Sequence, residues 1–453
     1  MHLADLAGLR VAVWGYGREG RAALGVLRAR FPTQRIALSA GEAALVPADA
    51  FVDVIADPPD AARLRAFDVV IKSPGISPYK PPLPEAAAAG VRFVSGSAIW
   101  FAENPHARTI CVTGTKGKST LSALLAHLLR TLGRRTALAG NIGLPLLELL
   151  APAPAPDWWV IELSSFQTRD FGGAPTLAVI NNLYEEHLDW HGTRARYAAD
   201  KLALATHAHM LLVNAAQPEL LRLTAAHPHR LTFGAPDGWH VSDGAIRRAG
   251  ERVLDLGDLP LPGEHNASNV CAALAALEAV GEDARAASAA VATFRALPHR
   301  LQRLGERDGV GYINDSIATT PYAAIEALRS LAGRATTVLV GGFDRGVDWL
   351  PFVEYVRAQP PHAIVAGGAN GARIVAALGA IAAPGFALRC TESLAAALDA
   401  ARALTPPGGT ILLSPGAPSF DQFADYAARG REFARLAGFD PAAIAQIEGL
   451  GIA

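Results

Sequence analysis

The sequence predicts an α/β protein of three domains in series: an N-terminal Rossmann-like domain, a central domain of the P-loop type and a C-terminal Rossmann-like domain. Three observations carry this. A short apolar strand at 11–14 runs into the glycine turn GYGREG and then a helical run to Arg30. The same order of strand, glycine loop and helix restarts at 109–133 around TGTKGKST. After LPHR (297–300), strands alternate with alanine-rich helices a third time. Alternation of this kind builds parallel sheets covered by helices. At 453 residues the chain is too long for one core, and roughly three domains is the natural division.

Further strands of the first domain, 1–98, are expected at 35–38, 52–55, 69–71 and 92–94. In the central domain, 99–296, the strand at 109–112 feeds the glycine loop, and the apolar helix LSALLAHLLRTLG is closed by Gly133. WWVIEL (158–163), LAVINN (177–182) and MLLVN (210–214) read as buried strands, and the Ala-Pro run 151–156 as a loop. Residues 231–261 read as short strands and turns, followed by a helix at 266–280. In the third domain, 297–453, strands are expected at 312–314, 337–340, 363–365 and 410–413.

Composition excludes several classes. A net charge of −1 offers no basic surface for nucleic acid or an anionic membrane. Cys111, Cys271 and Cys390 are scattered, with no metal or redox spacing, which favours a reducing compartment. No export signal opens the sequence and no apolar run reaches a membrane span, so a cytoplasmic protein without membrane insertion is expected.

Several stretches carry chemistry. In GYGREG, Gly15, Gly17 and Gly20 would let backbone N–H groups approach a diphosphate at a helix N-terminus. NAD would want an acid about twenty residues on, and the strand there ends at Ser39-Ala40 instead. A different diphosphate ligand and a purely structural turn both stay open. The second loop, Gly114, Thr115, Lys116, Gly117, Lys118, Ser119 and Thr120, is shorter than the usual P-loop, with only two residues between its glycines. There Lys118 would neutralise β/γ-phosphates and Ser119 would reach Mg²⁺, although Mn²⁺ would suit the same oxygens. Glu162 ends a buried strand, either as a metal carboxylate or as a cap on a neighbouring helix. His187 and His191 stand at i,i+4, but a zinc protease needs Glu after the first His and Leu188 is there. His187 gains meaning only beside Asn182, Glu186 and the phosphate loop. Asp315 in NDSIATTP could cap a helix or hold a ribose, and Arg300 in LPHR could reach nucleotide phosphates or be ordinary surface.

Taken in order, these segments resemble the Mur ligases, the ATP-dependent amide-forming enzymes of peptidoglycan precursor synthesis. The resemblance runs through GYGREG, KSPGISP, TGTKGKST, GNIGLP, ELSSFQ, EEHLDWH, the lysine of YAADK, GEHNASN, LPHR, NDSIAT and SPGAPSFDQF. It is strongest toward members that add glutamate to UDP-N-acetylmuramoyl-L-alanine, through SPGI and SFDQFADYAARGREF. It implies that the first domain binds the UDP part of the sugar nucleotide, the central one binds ATP, and the third closes over both. Gly15, Gly17, Arg18, Ser73 and Asn141 would then contact the UDP-sugar, and the glycine loop with Asn269, Arg300 and Asp315 would contact ATP. Ser119 and Glu162 would hold one Mg²⁺, and His187 with Lys201 a second. Lys118, His187 and Lys201 become the catalytic candidates. An ammonium has no lone pair for a cation, and the family resolves this by carbamylating the lysine that matches Lys201. The implied chemistry passes through an acyl phosphate and needs no Ser or Cys nucleophile.

The sequence departs from the D-glutamate-adding members where the amino acid is received. Ile317 stands where they carry lysine, Arg345 lies near a second family lysine, and Tyr426 replaces a phenylalanine, while Thr319 and Ser419 match. A charge-assisted hydrogen bond is worth roughly 1.5–3 kcal/mol, so a lost cation would weaken binding on the order of tenfold to a hundredfold. The departures favour the subgroup that adds L-glutamate. The alternatives are D-glutamate in a rebuilt pocket and, more remotely, a folylpolyglutamate-type ligase, against which GYGREG argues. An NAD oxidoreductase and a non-enzymatic ATP-binding regulator are the readings from other classes. A monomer is expected.

Overall fold

The structure, a computed structural model, describes every residue except 42–45, 47 and 261–262. By contacts the chain divides into two compact units. The first is Met1–Leu259, His265–Phe294 and Gly449–Ala453; the second is Pro260–Glu264 and Arg295–Glu448.

The first unit holds two large sheets. Strands β1 (Val11–Trp14), β2 (Ile36–Ser39), β3 (Val52–Ile55), β4 (Val69–Lys72) and β5 (Arg92–Val94) form a parallel sheet of order β3-β2-β1-β4-β5. Such a sheet leaves its ligand crevice at the strand C-termini, between β1 and β4, where the strand order reverses. Ser39, at the end of β2, is fully buried and donates its hydroxyl to Asp57 Oδ1 at 2.7 Å.

The second sheet is built from β6 (Thr109–Thr113), β7 (Thr136–Gly140), β8 (Trp158–Glu162), β9 (Leu177–Ile180), β10 (Met210–Asn214) and β11 (Arg230–Phe233), ordered β11-β10-β9-β6-β8-β7. β6, β7 and β8 are buried along their whole length, which is why TICVT and WWVIE read as continuous apolar runs. The sequence marks β7 weakly, because TALAG offers a single large apolar residue, Leu138, among small ones. A small antiparallel ribbon, β12 (Trp239–Ser242), β13 (Ala245–Arg248) and β14 (Glu251–Asp255), accounts for most of the region expected to be short strands; position 261 of that expectation lies outside the described residues. The helix expected at 266–280 runs over Glu264–Ala279.

The two sheets share one core. The helix Gly96–Glu103, capped by the Ser95 hydroxyl, spans the expected boundary at residue 98. Its Trp100 is fully buried, packs edge-on against Trp159 at 4.6 Å and donates its indole N–H to Leu149 O.

The second unit is a six-stranded sheet: β15 (Gln302–Arg307), β16 (Val310–Asn314), β17 (Thr336–Gly341), β18 (Ala363–Gly367), β19 (Ala387–Thr391) and β20 (Thr410–Leu413), ordered β15-β16-β20-β17-β18-β19. All neighbours are parallel except the β15–β16 hairpin. Ile325, Phe352 and Ile374 cover one face, and Leu398, Ala401 and Phe433 the other. This is a doubly wound sheet. β21 (Gly451–Ile452) belongs to the first unit, pairing antiparallel on the outer edge of β7. Among the described residues no helix is long and apolar enough to cross a membrane.

Replacing Trp100 with alanine is expected to cost about 3–5 kcal/mol, the usual range for a buried tryptophan. Hydrogen exchange should show faster opening of β8 with β16–β20 unchanged.

Candidate active site

The glycine loop leaves the end of β6 and enters the helix Lys118–Thr131. Gly117 is the N-cap at φ +78°, and a Cβ there would lie 2.6 Å from the side-chain oxygen of Asn269. Its shape comes from groups outside it. The Lys116 N–H donates to Asn182 Oδ1 (2.8 Å), and Asn182 Nδ2 donates back to Lys116 O (3.0 Å). Asn181 Nδ2 bonds both Lys116 O and Asn269 Oδ1. The Thr115 hydroxyl meets the Tyr197 hydroxyl at 2.7 Å, and Lys118 Nζ folds back onto Thr115 O at 3.1 Å. The result is a turn at a helix N-terminus with a lysine beside it, the arrangement that receives phosphate.

Glu162 ends β8, opposite Val112 of β6, and is completely buried. Its Oε1 accepts from Asn141 Nδ2 at 2.7 Å, while Oε2 is buried with no hydrogen-bond partner. A buried carboxylate oxygen without a partner is costly, and a cation is the chemistry that fits it. Glu162 does not cap a helix; Ser164 caps the helix Ser165–Arg169. Among the described residues no group of three or more His, Cys, Asp or Glu is arranged to hold a metal. A divalent ion here would rest on Glu162, the half-buried Ser119 and phosphate oxygens, as Mg²⁺ commonly does.

Lys201, in the helix Arg194–Thr206, is buried and donates to Gly114 O at 3.0 Å. Burial and then the neighbouring Lys118 push its pKa down to about 7, with Glu186 opposing and Lys116 adding to the shift. Amine and ammonium are therefore both populated near neutrality. Glu186 pairs with Lys116 Nζ at 2.6 Å. His187 takes a left-handed backbone, φ +57°, and its ring lies 5.0 Å from that of Phe166. Burial shifts its pKa downward, Glu186 opposes and Lys118 reinforces, so the ring tends to the neutral, metal-binding form.

On the first sheet, Ser73 donates its hydroxyl to Gly15 O at 3.2 Å, and a Cβ on Gly20 would strike that same carbonyl. Gly15 and Gly20 are thus fixed by packing. Gly17 faces open space and Arg18 is exposed, which leaves both available to a ligand.

In the second unit Asp315 is buried and accepts from Leu301 N (3.0 Å) and the Ser414 hydroxyl (2.8 Å). It caps no helix, since Thr320 caps the one at Pro321–Arg329. Arg300 is half-buried and near enough to act electrostatically on Asp315. Arg345 donates to Thr319 O at 2.9 Å, and the Ile317 N–H donates to His299 O. Ser419 is buried, and Tyr426 is partly exposed with its carbonyl accepting from the Ser316 hydroxyl at 2.8 Å. One residue outside the sequence candidates ties these loops together. Arg429, buried, bonds Ser316 Oγ, Ser316 O, Ala417 O and Pro418 O. It lines a cleft with Gly341, Gly342, Gly368, Ser393 and Asp421.

Comparison with known proteins supplies the family. Residues 112–277 match the Mur ligase middle domain, and 299–416 match the Mur ligase glutamate ligase domain. The chain belongs to the Mur ligases. It is 52% identical over 468 residues, covering all of both chains, to the UDP-N-acetylmuramoyl-L-alanine–L-glutamate ligase of Xanthomonas axonopodis pv. citri. The protein of the same name from Salinispora tropica is 40% identical, over 96% of this chain and 98% of its own. Among solved structures, the UDP-N-acetylmuramate-alanine ligase of Thermotoga maritima shares the fold at TM-score 0.60 and 19% identity, over 95% of this chain and 99% of that one. The MurF ligase of the same organism, in complex with ADP, does so at 0.59 and 15%, over 96% of each.

Within this Mur ligase, three site residues escaped the candidate set. Asn181 reads as a polar strand end, Tyr197 as an aromatic on a helix, and Arg429 as one arginine among several in ARGREF. Only distant contacts reveal them.

Burial pushes the Asp315 carboxyl up to about 6, against the Ser414 and Leu301 donors and Arg300. A carboxyl raised above its unfolded value of about 3.9 destabilises the fold as pH climbs between those values, and the penalty persists above. Asp315→Asn should therefore stabilise the protein by about 1–3 kcal/mol at pH 8, with the gain shrinking toward pH 4, as read by melting at both pH values.

Proposed function

We propose that this chain joins L-glutamate to UDP-N-acetylmuramoyl-L-alanine while cleaving ATP to ADP and phosphate, in peptidoglycan precursor synthesis. The observation that carries the reading is the unpartnered Oε2 of Glu162, buried one strand away from a phosphate loop of Mur ligase form. Full-length relatives 51–52% identical, all named for L-glutamate, supply the substrates.

Bound ATP and its Mg²⁺ supply the phosphoryl group and the positive charge that activates it. Lys118 would neutralise charge on the phosphates, and Ser119 with Glu162 would hold the ion, while Asn141 keeps the other oxygen of Glu162 occupied. The alanyl carboxylate oxygen bonds to the γ-phosphorus as the bond to ADP breaks. The glutamate amine then attacks that carbonyl carbon, phosphate leaves, and the new amide loses a proton. His187 and Lys201 would hold a second ion once Lys201 carries CO₂: the amine nitrogen bonds to carbon, a proton passes to solvent, and an anionic oxygen results. We assign sugar-nucleotide binding to 1–98 (Gly15, Gly17, Arg18, Ser73, with Asn141 from the central part), ATP to 99–296 with Arg300 and Asp315, and the amino acid to 297–453. The enzyme would act in the cytoplasm as a monomer.

For the amino acid, Ile317 withdraws a cation from the pocket and leaves Arg345, tied to Thr319, as its exposed positive group. Thr319, Ser419 and Tyr426 complete the set.

The test is phosphate release with ATP, Mg²⁺ and UDP-N-acetylmuramoyl-L-alanine, comparing the two glutamate enantiomers. L-Glutamate should support turnover at least a hundredfold better than D-glutamate. Preference for D-glutamate would sink the chirality assignment, and inactivity with both would sink the acceptor. In ¹³C-bicarbonate, a carbamate carbon resonance should appear and should vanish in Lys201→Arg.

A further inference from the structure

A string of buried hydrogen bonds outside the site runs through the first unit. Asp200 is buried in the same helix as Lys201, one position earlier. Its Oδ1 accepts from the Tyr79 hydroxyl at 2.7 Å, across 121 positions of sequence. Its Oδ2 lies 2.7 Å from Nδ1 of His191, whose ring is completely inaccessible. A carboxylate can only accept, so Nδ1 carries the hydrogen and Nε2 is left to accept from the Ser165 hydroxyl at 3.0 Å. The order Asp–His–Ser is that of an acyl-transfer triad, but Ser165 is itself buried.

The string is one strand of a broader attachment. The Ser77 hydroxyl donates to Trp190 O at 2.7 Å, and the Trp190 indole donates to Gly75 O at 3.0 Å. Lys72 pairs with Asp170 at 2.5 Å, both largely buried. Phe166 stacks on Trp190 at 4.6 Å. The loop after β4, which also carries Ser73, is thereby bonded to the helices at 188–191 and 194–206, and the end of β4 to Asp170, just beyond the helix at 165–169.

Geometry gives this attachment a purpose. Successive residues of a helix project about 100° apart, so fixing the direction of Asp200 fixes the rotation of the helix and hence the line along which Lys201 reaches Gly114 O. Asp200 makes no contact with the Lys201 amine; it sets where that amine points. Catalytic groups displaced by about 1 Å lose on the order of a hundredfold in rate.

We propose that Tyr79, Asp200 and His191 are positioning residues that aim Lys201 at the glycine loop, and through Tyr79 they join that aim to the loop of the first sheet that carries Ser73. The proposal rests on the assigned role of Lys201 in catalysis.

The test uses Tyr79→Phe, which removes one hydroxyl, together with Asp200→Ala and Asp200→Asn. Tyr79→Phe and Asp200→Ala should lower kcat at least tenfold with KM for ATP within twofold. Both should weaken the ¹³C carbamate signal of Lys201, with partial recovery at high bicarbonate. Asp200→Asn keeps the shape and one acceptor oxygen, and should retain most of the activity. In parallel, the rate at which an amine-labelling reagent modifies Lys201 is followed by mass spectrometry. This rate should rise at least fivefold in Tyr79→Phe. A lowered melting temperature with kcat and labelling rate unchanged would overturn the proposal. A wild-type protein without any carbamate signal would instead defeat the carbamate assignment; the labelling rate then decides alone, and equal rates overturn the positioning role.

Discussion

The site depends on one constraint: a loop with only two residues between its glycines cannot hold its own shape. A longer phosphate loop has enough backbone to wrap around its ligand. Here the turn is imposed from outside, by Asn181 and Asn182 at the end of β9, by Asn269 from the helix Glu264–Ala279, and by the hydroxyl of Tyr197. Gly117 leaves room for the Asn269 amide, and Gly114 offers its carbonyl to Lys201. Three separate segments therefore meet at one turn, the end of β9 being placed there by its parallel pairing with β6.

The same arrangement accumulates positive charge. Lys118 and Lys116 both bear on the buried Lys201, with Glu186 offsetting part of the repulsion. Glu162 adds a buried carboxylate oxygen with nothing to bind. Each of these features costs stability on its own, and each suits a ligand that brings phosphate and a divalent cation. The second unit repeats the theme. Arg429, whose pKa is drawn down to about 10 by burial, is held by a serine hydroxyl and three carbonyls, and Asp315 is raised by its own burial. Buried groups with perturbed pKa values cluster at functional sites.

Much of this was legible in the sequence for physical reasons. Glycines at positions of positive φ, next to continuous apolar strands, announce loops and sheets, so β1, β6, β8 and both glycine turns follow from local pattern. Glu162, Lys118, Lys201 and Asp315 were found because each stands at a strand end or inside a motif. What was hidden depends on distance along the chain. TALAG gave no periodicity, and β15 and β19 are polar or short of large side chains. Arg429 and Asp200 acquire meaning only through partners 113 and 121 positions away. Helix capping by Glu162 and by Asp315, both open in the sequence, is excluded because Ser164 and Thr320 already occupy those caps.

The most direct measurement is ATP affinity by calorimetry in Gly117→Ala. If externally imposed loop shape creates the phosphate site, the added methyl must displace Asn269 and disturb the turn, so affinity should fall at least tenfold while the melting temperature changes by only a few degrees. An unaltered affinity in a folded variant would contradict the account, because the loop would then tolerate a shape that its partners do not impose.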